Sequence, residues 1–144
     1  MLTVWAGYLL VKKISQSEKI ALFAGLLLAI NPFQIQYSLE ARMYTLGTFL
    51  VLLSSYLLLR AIETNDRKLW LAYGVATAAC LHTHYFLFFS VAAQILYLCY
   101  ILFKSKKLRL WLNPVIAGVV ILILYIHWIP NFIVQNQRVS EAYW

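Results

Sequence analysis

Apolar runs alternate with short polar clusters along the whole chain, and the lengths of the runs set the elements. The first run, Leu2 to Val11, is followed at once by Lys12 and Lys13. It is about half of the ~20 residues that a membrane crossing needs, so it predicts the end of a helix begun upstream, in a chain that is a fragment of a longer protein. A second helix is predicted from about Lys19 to Asn31, where Pro32, which has no amide N–H, interrupts it. A third runs from about Ser38 or Met43 to Ile62. Residues Leu69 to Phe103 are too many for one crossing at ~1.5 Å per residue. They divide at His82-Thr83-His84 into two antiparallel helices. The last span runs from about Leu110 to Trp128 and is closed by Pro130. The pattern therefore predicts an all-α, polytopic transmembrane helical bundle of one partial and about five full spans, in a single domain over residues 1–144.

Composition changes little in that picture, but charge orients it. The chain is 63% hydrophobic and 12% charged, with a net charge of +7. Ten of its twelve basic residues fall in the loops around residues 12–19, 60–68 and 104–109, and only Arg42 and Arg138 fall at the other end. Basic loops stay on the cytoplasmic side, so the sparsely charged end is expected to face outward from the plasma membrane. The positive charge is then topological. It is scattered between spans without a basic stripe or recognition motif, which excludes a nucleic-acid partner. Trp70 and Trp111 are expected in the inner aromatic belt and Trp128 in the outer one. Cys80 lies just before the outer histidine turn and Cys99 just before the inner Lys104 cluster, too far apart across a ~30 Å core for a disulfide.

The outer end collects the chemistry. Ionic groups beside hydrocarbon are costly unless paired or wetted, and in Tyr37-Ser38-Leu39-Glu40-Ala41-Arg42-Met43-Tyr44 topology does not require Glu40 or Arg42. Ser38 is a candidate N-cap for the third long span, which would turn a positive helix end outward. Arg42 would add a planar donor fork suited to a lipid phosphate, and Glu40 would accept hydrogen bonds from sugar hydroxyls or organise Arg42. The residues alone equally allow a plainer account, with Glu40 answering a helix dipole and Arg42 snorkelling to headgroups. His82 and His84 are two apart, so they diverge on a helix and converge in an extended turn. A divalent metal is possible but not indicated, because the ligand count is short. Gln94, in mid-span, is read as a hydrogen-bonding contact to a neighbouring helix.

Three blocks in order, NPFQIQYSLEARMYTL, then HTHYF, then IPNFIVQNQRV, resemble the middle of bacterial GT-C glycosyltransferases, nearest to the family 39, protein-mannosyltransferase-like enzymes. The resemblance covers essentially the whole chain. It implies a GT-C-like fold and transfer of a hexosyl or pentosyl group from a polyprenyl-phosphate-linked sugar to an acceptor glycan, lipid or protein at the outer face, with no cofactor beyond that donor. It further implies a catalytic role for Glu40 and a substrate-binding role for Arg42, with His82, His84 and Tyr85 as pocket wall. Tyr37, Tyr44, Gln137 and Arg138 complete the candidate substrate-binding set.

This sequence departs from the family in one respect. Members carry their principal acid in the first external loop, after the first transmembrane helix, and no such acidic pair occurs here. The chain alone is expected to bind a donor rather than to complete transfer. The rival readings are a transporter or flippase component and a non-catalytic scaffold.

Overall fold

The computed structural model describes residues 1–40, 43–105, 111–131 and 134. Seven α-helices are present among them: α1 (Leu2–Ser15), α2 (Glu18–Ile30), α3 (Pro32–Leu39), α4 (Met43–Thr64), α5 (Arg67–Thr83), α6 (Leu87–Ser105) and α7 (Leu112–Tyr125). There are no strands among the described residues, so the all-α expectation holds.

The breaks between helices have local causes. α1 stops at Gln16, which takes the left-handed conformation with φ of 53° and returns its N–H to Lys12 O. Ser17 then caps α2. The second break is stricter. A residue before proline is pushed out of the helical region, and Asn31 is extended (ψ 117°) ahead of Pro32, the first residue of α3. Asn31 Oδ1 also accepts from the Gln34 N–H at 3.1 Å, so one residue ends α2 and starts α3. The two helices meet at a 52° bend.

Asn65 and Asp66 make the third break. Asn65 has φ of 51°, in the left-handed region that asparagine tolerates best among non-glycines. Asp66 Oδ1 caps α5 through the Lys68 N–H at 2.9 Å. Asn65 Oδ1 also accepts from Trp70 Nε1 at 3.2 Å and from Asn113 Nδ2 at 3.1 Å. Asn113 donates as well to the Asn65 carbonyl at 2.9 Å. One side chain thus ties the end of α4, the start of α5 and the start of α7.

Side-chain contacts fix helix direction. Gly47 faces Leu87, and Gln94 Nε2 donates to Ser54 Oγ at 2.9 Å and to Ser55 Oγ at 3.0 Å, so α4 and α6 run parallel. This is the neighbouring-helix role expected of Gln94. α5 runs against them, with Leu50 beside Cys80 and Leu58 beside Tyr73. It is the central helix, packed between α4 and α7, and it buries Gly74, Ala76, Thr77, Ala78 and Cys80. Small residues let helix backbones approach where lipid supplies no hydrophobic drive between helices. α1 packs on α4 and α2. One core cluster gathers Leu58, Ala61, Trp70, Tyr73 and Ala117, and the other Leu50, Cys80 and Val91.

Among the described residues, three stretches are long and apolar enough to cross a membrane: Met43–Thr64, Leu87–Ser105 and Leu112–Asn131, or four if α2 and α3 form one broken span. α5 has 17 residues, about 25 Å. Since α4 and α6 are parallel, α5 must return across whatever they cross. The molecule is a helical membrane bundle.

Three expectations need correction. Trp70 is 2% exposed and belongs to the core, because its indole N–H reaches Asn65 inside the bundle and not the headgroups. Ser38 does not cap α4. It lies in the last turn of α3 and donates to Ile35 O at 2.7 Å. Pro130 does not close the final span, which stays helical to Asn131. The missing N–H of Pro130 instead shifts the preceding turn: Ile126–Trp128 is 3-10 helix, with the Ile129 N–H on Ile126 O.

Candidate functional site

The alternation of helices puts the Asn31 break, Glu40, His84 and the end of α7 at one end of the bundle. Lys12, Lys13, Arg60, Arg67, Lys68 and Lys104 lie at the other. Two of these lysines are paired with carboxylates. Lys12 meets Glu18 at 2.5 Å, the Tyr8 hydroxyl donates to the same carboxylate, and Lys13 pairs with Glu63.

At the sparsely charged end, an aromatic chain crosses three elements. The Tyr37 ring on α3 lies 4.9 Å from that of Tyr44 on α4. Tyr44 lies 5.7 Å from His84 in the α5–α6 turn, and His84 stacks on Tyr85 at 4.7 Å. Four of the residues picked from sequence are therefore brought together, although His84 is 47 positions from Tyr37 in the chain.

The local fold orients each of them. His84 is extended, and its Nδ1 accepts from the Phe86 N–H at 3.1 Å. A ring nitrogen that accepts carries no proton, so the neutral ring presents Nε2–H as a donor. Glu40 ends α3, with its N–H on Gln36 O at 3.1 Å and its Oε1 accepting from Gln36 Nε2 at 3.1 Å. Glu40 sits in the connection between the Tyr37 and Tyr44 helices, exposed at the sparsely charged end.

His82 is in a different place. It occupies the last turn of α5 and faces α7, so it does not share a wall with His84. Its Nε2 lies 3.1 Å from Leu124 O. A carbonyl only accepts, so Nε2 carries the hydrogen. This carbonyl is available because of the 3-10 turn. Regular α-helix would direct the Trp128 N–H to it, whereas an i→i+3 ladder directs that N–H to Tyr125. The His82 ring also contacts Tyr125 at 5.2 Å, His127 at 5.5 Å and Trp128 at 5.7 Å. The sequence reading missed Tyr125 and gave Trp128 only a belt role. The signal that could have found this cluster is the Tyr-Ile-His-Trp run two residues ahead of Pro130, whose missing N–H shifts the turn before it. Arg42, Gln137 and Arg138 lie outside the described residues.

Hollows flank the aromatic chain. One of about 340 Å³ sits in the bend between α2 and α3 and against α4, lined by Leu28, Asn31, Phe33, Gln34, Tyr37, Tyr44, Thr45 and Thr48. A second, of about 390 Å³, lies beyond Tyr37 and Thr45 toward the start of α1. Thr45 Oγ1 is buried between them without a hydrogen-bond partner among the described residues. A larger cavity of about 580 Å³ lies lower, on α1, α4 and α6, and contains none of the candidate site residues. Among the described residues no three His, Cys, Asp or Glu side chains converge on one point. The assembled end can offer a carboxylate acceptor, a neutral imidazole donor, amide groups and aromatic faces.

No curated protein and no solved structure matches this chain. A protein-family model does, over residues 1–133, and it spans the first two blocks picked out in the sequence, the first five residues of the third, and the helices that bring the first two together. By that match the chain belongs to the dolichyl-phosphate-mannose-protein mannosyltransferase family, a family of glycosyltransferases.

Proposed function

We propose that this chain forms the donor-binding part of a glycosyltransferase that takes a hexosyl or pentosyl group from a polyprenyl-phosphate carrier and passes it to a glycan, lipid or protein acceptor at the outer face of the plasma membrane. The observation that carries this reading is the convergence of Tyr37, Tyr44 and the His84–Tyr85 turn around the Glu40 connection, at the end away from the lysine clusters. In the reaction, an acceptor hydroxyl oxygen bonds to the anomeric carbon as the carbon–oxygen bond to the carrier phosphate breaks. The hydroxyl proton passes to a carboxylate, and the phosphate leaves with the bonding electron pair. Glu40 orients or deprotonates that hydroxyl. Arg42 holds the phosphate, where negative charge grows in the transition state.

Depth of charge separates this reading from a transporter. Transporters place ionic groups near the membrane midplane, often in broken helices. Here Met43 to Leu59, Leu69 to Leu81, Leu87 to Phe103 and Leu112 to Asn131 carry no Asp, Glu, Lys or Arg.

The test is donor binding by the purified chain in lipid nanodiscs, with a fluorescent short-chain polyprenyl-phosphate hexose as probe. Arg42→Ala is expected to weaken binding about tenfold or more, the loss of a charge-assisted bidentate contact. Arg42→Lys should lose less, because it keeps the charge without the fork. Glu40→Gln should weaken binding through lost hydroxyl contacts or a misplaced Arg42. Equal binding by wild type and all three variants would remove both residues from the site.

A further inference from the structure

The hollow at the α2–α3 bend has a chemistry of its own. Asn31 spends its Oδ1 on capping α3, and its Nδ2 makes no hydrogen bond to any described residue. The same holds for the Gln34 side-chain amide and for the Tyr37 and Tyr44 hydroxyls, all of which line this hollow. Two amides and two phenols, held by the proline bend and by the Tyr37–Tyr44 ring contact, thus face a space that they leave unfilled. Thr48 differs, because its hydroxyl is engaged with Tyr44 O at 2.9 Å. Among the described residues, no ionic side chain lines the hollow.

Resting on the transferase reading above, we propose that this hollow is the pocket for the transferred sugar, that it takes a neutral sugar ring, and that Asn31 and Gln34 determine specificity by reading its hydroxyls. Hydroxyls both donate and accept, which is what amides and phenols match. The tyrosine rings offer apolar faces to the C–H side of a pyranose. The alternatives fit worse. A phosphate seeks cations, and none of the described residues lining the hollow is one. A lipid tail would leave four polar groups without partners. An amino sugar or a uronic acid would bring a charge with no counter-ion among the described residues that line the hollow. The volume, about 340 Å³, lies at the low end of the ~300–1,000 Å³ usual for ligand pockets, enough for one ring with the carrier left in the bilayer.

The experiment uses the whole chain in nanodiscs and three short-chain polyprenyl phosphates: one bearing a neutral hexose, one an amino sugar and one no sugar. Wild type should bind the neutral conjugate at least tenfold more tightly than the amino one. Gln34→Met removes the amide at similar size. Asn31→Ser removes the Nδ2 donor but keeps a good cap for α3. Each should weaken binding of the neutral conjugate about fivefold, as for one lost hydrogen bond, and leave the sugar-free carrier unchanged. Gln34→Glu should raise the relative affinity for the amino conjugate. Equal loss of the sugar-bearing and sugar-free ligands in the variants, or no loss of either, would overturn the pocket assignment. Wild-type binding of all three ligands alike would also overturn it while leaving the transferase reading intact. Binding of none would sink that reading and this assignment with it.

Discussion

α5 and α7 pack closely at Gly74, and this contact can be tested against an internal control. A Cβ placed on Gly74 would lie 3.0 Å from the Ala117 carbonyl oxygen and 3.2 Å from Val120 Cβ and Cγ1. A Cβ on Gly118, an exposed position of α7, would meet nothing within 4 Å. Alanine at either position gains about 1 kcal/mol of helix propensity over glycine. Only at Gly74 must the methyl displace something, and what it meets is a backbone oxygen and a β-branched side chain with little rotamer freedom. Overpacking of this kind costs about 1–3 kcal/mol. Gly118→Ala is therefore expected to stabilise by up to about 1 kcal/mol, and Gly74→Ala to end about 0–2 kcal/mol below wild type. The difference between the variants isolates the steric term, since propensity cancels, and should be about 1–3 kcal/mol. Gly74→Val should widen it. Unfolding in mixed detergent–SDS micelles, followed by fluorescence with buried Trp70 as a reporter, measures both. Gly74→Ala as stable as Gly118→Ala would refute the packing of these two helices.

Three further outcomes follow from the same contacts. His82→Ala should leave Leu124 O without its donor and loosen the end of α7 by about 1–2 kcal/mol, whereas His82→Gln, which keeps an N–H donor, should recover part of this. Hydrogen exchange across residues 124–131 reads the effect, and equal exchange in the two variants would remove the contact. Asn113→Leu should cost about 1–3 kcal/mol by leaving Asn65 short of its donor, measurable in the same micelle titration, with wild-type stability as the refuting result. Finally, a cysteine at Gln36 should react with an impermeant thiol reagent from outside intact cells, and one at Ser105 should not. The reverse pattern would invert the orientation and move the proposed site to the cytoplasmic face.

Much of the fold was legible because its determinants are local. Pro32 and the restriction it puts on Asn31 act within one turn of chain, and the Leu69–Phe103 run is simply too long for one crossing; both breaks fell where the sequence put them, whereas the Asn65-Asp66 turn between α4 and α5 was not singled out. The segregation of ten of the twelve basic residues to the end away from Glu40 was equally plain, since charge is excluded from hydrocarbon whatever the helices pack against. Tyr37, Tyr44, His84 and Tyr85 were identifiable by residue type and by resemblance to a family.

Packing decided the rest. Helices apolar on every side carry no stripe to mark which face meets a neighbour. Trp70 could therefore be read as a belt residue until Asn65 was seen to hold its indole N–H. His82 and His84, two apart, part company because the helix ends between them and sends one ring to α7 and the other to α4. The 3-10 turn before Pro130 follows from the proline, but that its freed carbonyl meets His82 depends on α5 lying beside α7. The hollow beside Asn31 and Gln34 likewise exists only because the bent pair leans on α4. Sequence named the groups, and the contacts between helices chose which of them face one another.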